Sequence, residues 1–204
     1  MEKIKCVIFD FDETLYSSSN RQGYLDFLKK AVTELGGKTA AEADRLLTQA
    51  GFTLTNKPAS FNSQLSTFGI TREQWDSFKI NNCYIADPKG VEILPNELYR
   101  ELRKKCRLFI VSNEFLQHIE AKAAIYGIDL SVFDIYVSAG GSKKPIYERV
   151  MKDCGVTANQ VLVIGDRMKV DIEPMLELGG NGALVRDVKE VKDLIGKLLK
   201  TLKA

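Results

Sequence analysis

The 204-residue chain is poor in the residue types on which several common chemistries depend. It has one histidine, His118, which cannot make a zinc cluster without cysteines at ligand spacing, and His-dependent catalytic triads are poor candidates. Its four cysteines, Cys6, Cys83, Cys106 and Cys154, form no Cys-x-x-Cys pair. With no secretory signal beside them, a disulfide framework is not expected, and Cys6 and Cys106 read as small buried hydrophobes. Charge of neither sign dominates: 29 Lys plus Arg against 27 Asp plus Glu leave a net +2. That excludes a broad basic field for nucleic acid or a membrane surface. No apolar run approaches the roughly 20 residues that cross a bilayer. Met1-Glu2-Lys3-Ile4-Lys5 leads straight into an apolar strand without a signal core, so a cytoplasmic location is expected.

What is present is an ordinary globular composition, 45% hydrophobic and 27% charged, with a strong alternation of element types. Short apolar, β-branched runs occur at Ile4–Phe9, Arg107–Val111, Asp134–Ser138, Val161–Ile164 and Ala183–Val185. Between them lie helical patterns at Glu97–Lys105, Phe115–Tyr126, Ile146–Cys154 and Ile172–Leu178. Strands alternating with helices of this length predict an α/β fold with a parallel sheet. The tail Asp187–Lys203 carries one apolar helical face and a lysine face, the pattern of a helix packed on the sheet.

Residues 16–88 differ. They carry helical spacing from Tyr24 to Leu35, ended by Gly36-Gly37, and two capping-box patterns, Thr39 with Glu42 and Thr71 with Gln74. This segment is expected to be an all-helical subdomain inserted in a core made of 1–15 and 89–204, with Asp87-Pro88-Lys89-Gly90 as the return.

Four groups of polar residues follow predicted strands. Asp10-Phe11-Asp12-Glu13-Thr14 follows the first; two carboxylates so close need a cation or a shared proton. Ser112-Asn113 ends the second, where a hydroxyl and an amide can hold an oxyanion. Lys144-Pro145 opens a helix, and Pro145 at its first position would aim Lys144 from a rigid entrance. Gly165-Asp166 and then Asp171 follow the fourth strand. Each group alone also suits a cap, a turn or a solvated lysine. Together they fall at the carboxyl ends of parallel strands, the edge where open α/β sheets bind ligands. Carboxylates there suit Mg²⁺, Lys and Ser suit a phosphoryl group, and an aspartate can attack phosphorus.

In order and spacing these groups resemble the four motifs of the haloacid dehalogenase-like hydrolase superfamily, phosphatase branch. Asp10-Phe11-Asp12-Glu13-Thr14-Leu15 is similar to the first, Ile110-Val111-Ser112-Asn113 to the second, Lys144-Pro145 to the third, and Gly165-Asp166 through Asp171 to the fourth. The resemblance covers nearly the whole chain. It implies a Rossmann-like three-layer core and a helical cap after the first motif. It also implies Asp10 as nucleophile and Mg²⁺ ligand, and Asp12 as general acid and base whose backbone carbonyl touches the metal. Phe11, Asp12, Ser112, Asn113 and Lys144 would surround the phosphoryl group, with Lys144 neutralising it. Asp166 would bind the metal, and Asp171 would stand behind it or reach it through water.

The expected activity is Mg²⁺-dependent hydrolysis of a small phosphorylated metabolite, such as a nucleotide monophosphate or sugar phosphate, through an aspartyl-phosphate. Neither nucleic acid nor membrane is an expected partner. The presence of Asp12 favours a phosphatase over a dehalogenase, since a halide leaves unprotonated. A phosphomutase on the same core, a receiver-type phospho-acceptor and a non-catalytic phospho-ligand-binding protein are the alternatives. Phosphonate cleavage would call for a cap lysine, but solvation explains Lys29, Lys30, Lys38 and Lys57. Residues Tyr16 to Arg21 are candidates for substrate selection. Two positions depart from the pattern: Glu13 stands where glycine is common, and Arg167 stands where a small residue is usual. Arg167 is expected to be exposed, with contact to a second anionic group as the other reading.

Overall fold

The computed structural model describes residues 4–19, 21–54, 61–138 and 141–202, so Asn20, Lys57 and Lys203 lie outside the described residues. Two compact units result: Met1–Ser18 with Val91–Ala204, and Ser19–Gly90.

The larger unit is built on β1 (Cys6–Phe9), β4 (Arg107–Ser112), β5 (Asp134–Val137), β6 (Val161–Gly165) and β7 (Asn181–Leu184). They pair in parallel in the order β5-β4-β1-β6-β7. β1 and β6 are buried at every position, as strands covered on both faces must be, which is why they read as unbroken apolar runs. Alternate residues of β1 serve opposite layers. Cys6 and Ile8 join a core with Tyr147 and Val150 of α6 (Lys144–Cys154) and Met175 of α7 (Glu173–Glu177). Phe9 turns the other way, edge-on to Tyr99 of α4 (Asn96–Arg103) at 5.7 Å. Helix α4 packs against α8 (Val188–Thr201), the lysine-rich tail helix; α5 (Leu116–Tyr126) lies between β4 and β5 in the chain. The three-layer α/β arrangement is thus the one the sequence predicts.

The expected boundary at residue 16 shifts. Tyr16–Ser18 forms β2 and pairs antiparallel with β3 (Val91–Ile93), making a two-stranded ribbon that belongs to the larger unit. The helix expected over Ile172–Leu178 also differs. A π-helical turn occupies Met168–Ile172 before α7 begins.

The smaller unit contains α1 (Arg21–Gly36), α2 (Ala40–Gln49), a 3₁₀ segment at Phe61–Phe68 and α3 (Arg72–Asn81). Thr39 and Thr71 cap α2 and α3 through the reciprocal bonds with Glu42 and Gln74 that their spacing predicts. Leu28, Val32, Leu47, Phe68, Trp75 and Phe78 share its core. Among the described residues no helix is long and apolar enough to cross a membrane.

Candidate active site

Three central strands deliver side chains to one edge. Asp10 directly follows β1, and its amide donates to the Ile164 carbonyl of β6 at 2.9 Å. This bond carries the strand register one residue past its end and fixes where the Asp10 side chain emerges. Ser112 ends β4, and Asp166 follows β6. The chain then reverses after β1: Leu15 N–H donates to the Phe11 carbonyl at 3.0 Å, and Glu13 sits at φ +59°. That left-handed conformation explains why glycine suits the position that Glu13 occupies.

Asp10 is 3% exposed, and its Oδ1 accepts a hydrogen bond from Lys143 Nζ at 2.6 Å. The same ammonium donates to Asp171 Oδ1 at 2.7 Å. Asp171 Oδ2 in turn accepts from the Arg167 amide at 2.9 Å, so both its oxygens are engaged inside the protein. The π-helical turn brings Asp171 back over Gly165, where a Cβ would lie only 2.5 Å from the Asp171 Cβ. Glycine is therefore required at 165 by close approach.

This geometry corrects the lysine assignment. Lys144 was expected to neutralise the nucleophile, but its Nζ pairs on the surface with Glu177 at 2.8 Å. Lys143, one position earlier, is the lysine that reaches Asp10. It stands at the N-cap of α6, where successive side chains diverge by about 100°. Lys143, Tyr147 and Val150 are the buried stripe of this helix, spaced i, i+4, i+7; Lys144 lies off it. That spacing was available in the sequence and separates the buried lysine from its exposed neighbour.

The other expected residues fall as follows. Asp12 is one-third exposed and holds two donors on Oδ1: the Tyr16 hydroxyl at 2.5 Å and Lys122 Nζ at 2.7 Å. Ser112 is buried, and its hydroxyl accepts from the Glu114 amide at 3.1 Å, leaving its own proton for an oxyanion. The Asn113 side-chain oxygen accepts from the Ser138 hydroxyl. Phe11 is fully buried against Tyr16, so only its backbone can face a ligand. Arg167 is not the exposed side chain expected. It is two-thirds buried with Nε 3.6 Å from Asp166, in the field of Asp10, Asp166 and Asp171. Several candidates for substrate selection have structural duties. Tyr16 is buried on Asp12, the Ser17 hydroxyl accepts from the Val188 amide at the start of α8, and the Ser19 hydroxyl donates to the Gly90 carbonyl. In the smaller unit Lys29 pairs with Asp44 at 2.6 Å and Lys30 donates to Asn82 at 2.8 Å. Lys122 is the residue that sequence reading missed, because an unremarkable lysine on a helix is assumed to be solvated.

Asp10, Asp166 and Asp171 can each place one oxygen within 4.8 Å of the others. Among the described residues Asp10 Oδ2 is buried with no hydrogen-bond partner, an acceptor left unsatisfied. Oxygen donors gathered around such an atom fit a hard divalent cation such as Mg²⁺. Because both Asp171 oxygens are engaged, Asp10 and Asp166 are the carboxylates of this cluster that could hold a cation directly, with Asp171 holding Lys143 and the Arg167 backbone behind them. Burial pushes the Asp10 carboxyl up to about 7, against the pull of Lys143 and with help from the Asp171 and Asp166 charges. The same burial opposes the charge on Lys143, yet Asp10 and Asp171 outweigh it and raise that ammonium above its ordinary value.

The backbone architecture recurs in solved structures. A HAD phosphatase from Thermococcus onnurineus aligns with TM-score 0.60 and 17% identity, over 95% of this chain and 98% of that one. The HAD hydrolase YfnB of Bacillus subtilis, determined bound to magnesium, aligns with TM-score 0.57 and 16% identity, over 96% and 100%. A 2-haloacid dehalogenase from Pseudomonas syringae pv. Tomato aligns with TM-score 0.52 and 15% identity, over 95% and 99%. No curated protein matches the sequence significantly. Phosphatases and dehalogenases thus share this fold, and the fold alone does not choose between them. At the level of sequence, residues 4–179 match the haloacid dehalogenase-like hydrolase model, and with the motifs now placed at one sheet edge, the chain belongs to that family.

Proposed function

We propose that this hydrolase is a Mg²⁺-dependent phosphomonoesterase that works through an aspartyl-phosphate on a small organophosphate. One observation carries the choice over a dehalogenase: a second carboxylate, Asp12, stands two residues from Asp10 with two hydrogen-bond donors fixed on one of its oxygens. Displacing a halide needs no acid, whereas an alkoxide leaving from phosphorus does.

Asp10 attacks phosphorus with one carboxylate oxygen. The bond from phosphorus to the ester oxygen breaks, and Asp12 gives that oxygen its proton, releasing an alcohol. Asp12, now a carboxylate, takes a proton from water as the water oxygen attacks the phosphorus of the aspartyl-phosphate. Inorganic phosphate leaves and Asp10 is regenerated. Lys143, held by Asp171, keeps positive charge beside the nucleophile, and Ser112 with the Asn113 amide receives phosphoryl oxygens. Asp10, Asp166 and the Asp12 carbonyl would hold Mg²⁺, which supplies further positive charge for the phosphoryl group when bound.

The test is phosphate release from a panel of phosphate esters, with and without chelator, by the natural protein and by Asp10→Asn. Activity that needs Mg²⁺ and Asp10, with beryllium fluoride bound at Asp10 as a phosphoryl mimic, supports the reading. Undiminished turnover in Asp10→Asn, or in excess chelator, refutes it.

A further inference from the structure

We propose that Lys122 is a positioning residue for Asp12, holding its carboxylate in the orientation that proton transfer requires; this rests on the phosphatase reading above. Lys122 lies on α5, 110 residues along the chain from Asp12, yet Nζ reaches Asp12 Oδ1 at 2.7 Å. Its side chain is 5% exposed, whereas Asp12 is 33% exposed. An ammonium removed from water at an active-site edge costs stability unless well paired. Glu114 supplies the second pairing, with Oε2 at 3.5 Å. Glu114 is itself anchored: its Oε1 accepts from the Phe115 amide at 3.0 Å and faces His118 Nδ1 at 3.1 Å. His118 and Lys122 stand i, i+4 on α5, and Glu114, two residues before the helix begins, contacts both of them.

Two fixed donors define a carboxylate plane. Tyr16 approaches the same Oδ1, and its ring is wedged between Phe11 and Tyr126, with centroids 5.6 and 4.8 Å away. Lys122 and Tyr16 thus hold Asp12 by one oxygen from two elements. An acid and base must be aimed, and a small misplacement of a reacting group is costly in rate. A purely structural strut would be expected between buried partners. Here the strut ends on the more exposed carboxylate, the one that must face substrate.

The two roles separate by leaving group. In Lys122→Met the stem remains and the ammonium is gone. The burst of aryloxide from p-nitrophenyl phosphate, which needs little protonation, is expected to stay within about 3-fold of the natural rate. Turnover of an alkyl phosphate should fall about 10- to 100-fold, a part of the ~10²–10⁴ typical of general acid–base catalysis. The phosphoenzyme should accumulate after the burst, because its hydrolysis also needs an aimed Asp12. Lys122→Arg is expected to recover part of the alkyl rate. The double variant Lys122→Met/Glu114→Gln removes one charge of each sign, and is read in the same way if the single variant folds poorly. Equal losses on both esters without a burst would overturn the proposal, as would failure of both variants to fold, which would make Lys122 a strut. A natural protein inert toward every ester overturns the phosphatase reading and this proposal with it. An active natural protein with a uniform loss in Lys122→Met overturns this proposal alone.

Discussion

Neighbouring lysines 143 and 144 offer a sharp test of the site, because replacing each by methionine perturbs very different surroundings. The Lys143 side chain is completely buried between Asp10 and Asp171, and Lys144 lies 38% exposed beside Glu177. Removing Lys143 leaves two buried carboxylates without the ammonium between them, though Arg167 still acts in their field. Breaking a buried pair from one side costs about 3–5 kcal/mol. At about 2–4 °C per kcal/mol for a chain of this size, the metal-free variant should melt about 6–20 °C lower. The loss should depend on pH in a defined direction. Asp10 already titrates at about 7 in the folded protein with Lys143 in place. Its unfolded value is about 3.9, so between these limits the folded state binds more protons and stability falls as pH rises. Without Lys143 the folded value moves further up and the window widens. The deficit should therefore shrink toward pH 5 and be largest above pH 7. Differential scanning calorimetry across pH 5–8, with chelator present, measures it, and phosphate release gives the activity, which should be lost in Lys143→Met. Lys144→Met should melt with the natural protein and retain activity. A Lys144→Met enzyme as damaged as Lys143→Met, or a Lys143→Met protein that melts normally at pH 8, would refute the reasoning.

Mg²⁺ should stabilise the natural protein by about 2.7 kcal/mol at a hundredfold excess over its dissociation constant, read as a higher melting temperature, and Asp166→Asn should lose most of this gain while Ca²⁺ fails to support turnover. Glu13→Gly should stabilise the protein by about 0.5–1 kcal/mol, since it relieves a left-handed cost of about 1–2 kcal/mol and gives back about 0.5–1 in unfolded-chain entropy; a lower melting temperature would contradict the strain argument. Gly165→Ala should displace Asp171 and with it Lys143, costing about 1–3 kcal/mol of stability and most of the activity; a variant with natural turnover would show that the Asp171–Lys143–Asp10 chain tolerates slack.

Much of this was legible because strands covered on both faces announce themselves. Cys6–Phe9 and Val161–Gly165 are uninterrupted apolar runs, and the first acid after each, Asp10 and Asp166, belongs to the carboxylate cluster at the sheet edge. The capping boxes were legible because their bonds span three residues and need nothing distant. What escaped depended on distant partners or on phase. The ribbon Tyr16–Ser18 with Val91–Ile93 joins two three-residue segments, one of them mostly serine, and each is a strand only because the other is there. Pro145 points to the lysine beside it, Lys144, whereas the buried stripe through Tyr147 and Val150 sets the phase of α6 and turns Lys143 inward. Lys122 escaped because its pairing with Asp12 is a property of the folded chain alone.

The ribbon has a consequence for modularity. The chain leaves the larger unit through Ser18 and returns through Val91, residues that face each other across a strand pair about 5 Å apart. The whole of Ser19–Gly90 is thus a loop whose two ends are already zipped together, so its length imposes nothing on the sheet beyond. A two-residue hairpin turn can bridge the same gap. The insert is in this sense an exchangeable cassette: a segment of another length or fold can enter at the same seam while β1, β4 and β6 keep their register. The seam itself is not neutral, because its first residue is Tyr16, whose hydroxyl rests on Asp12. Whatever cassette is grafted there must leave the pairing of Tyr16 with Ile93 intact if the carboxylate beneath it is to keep its aim.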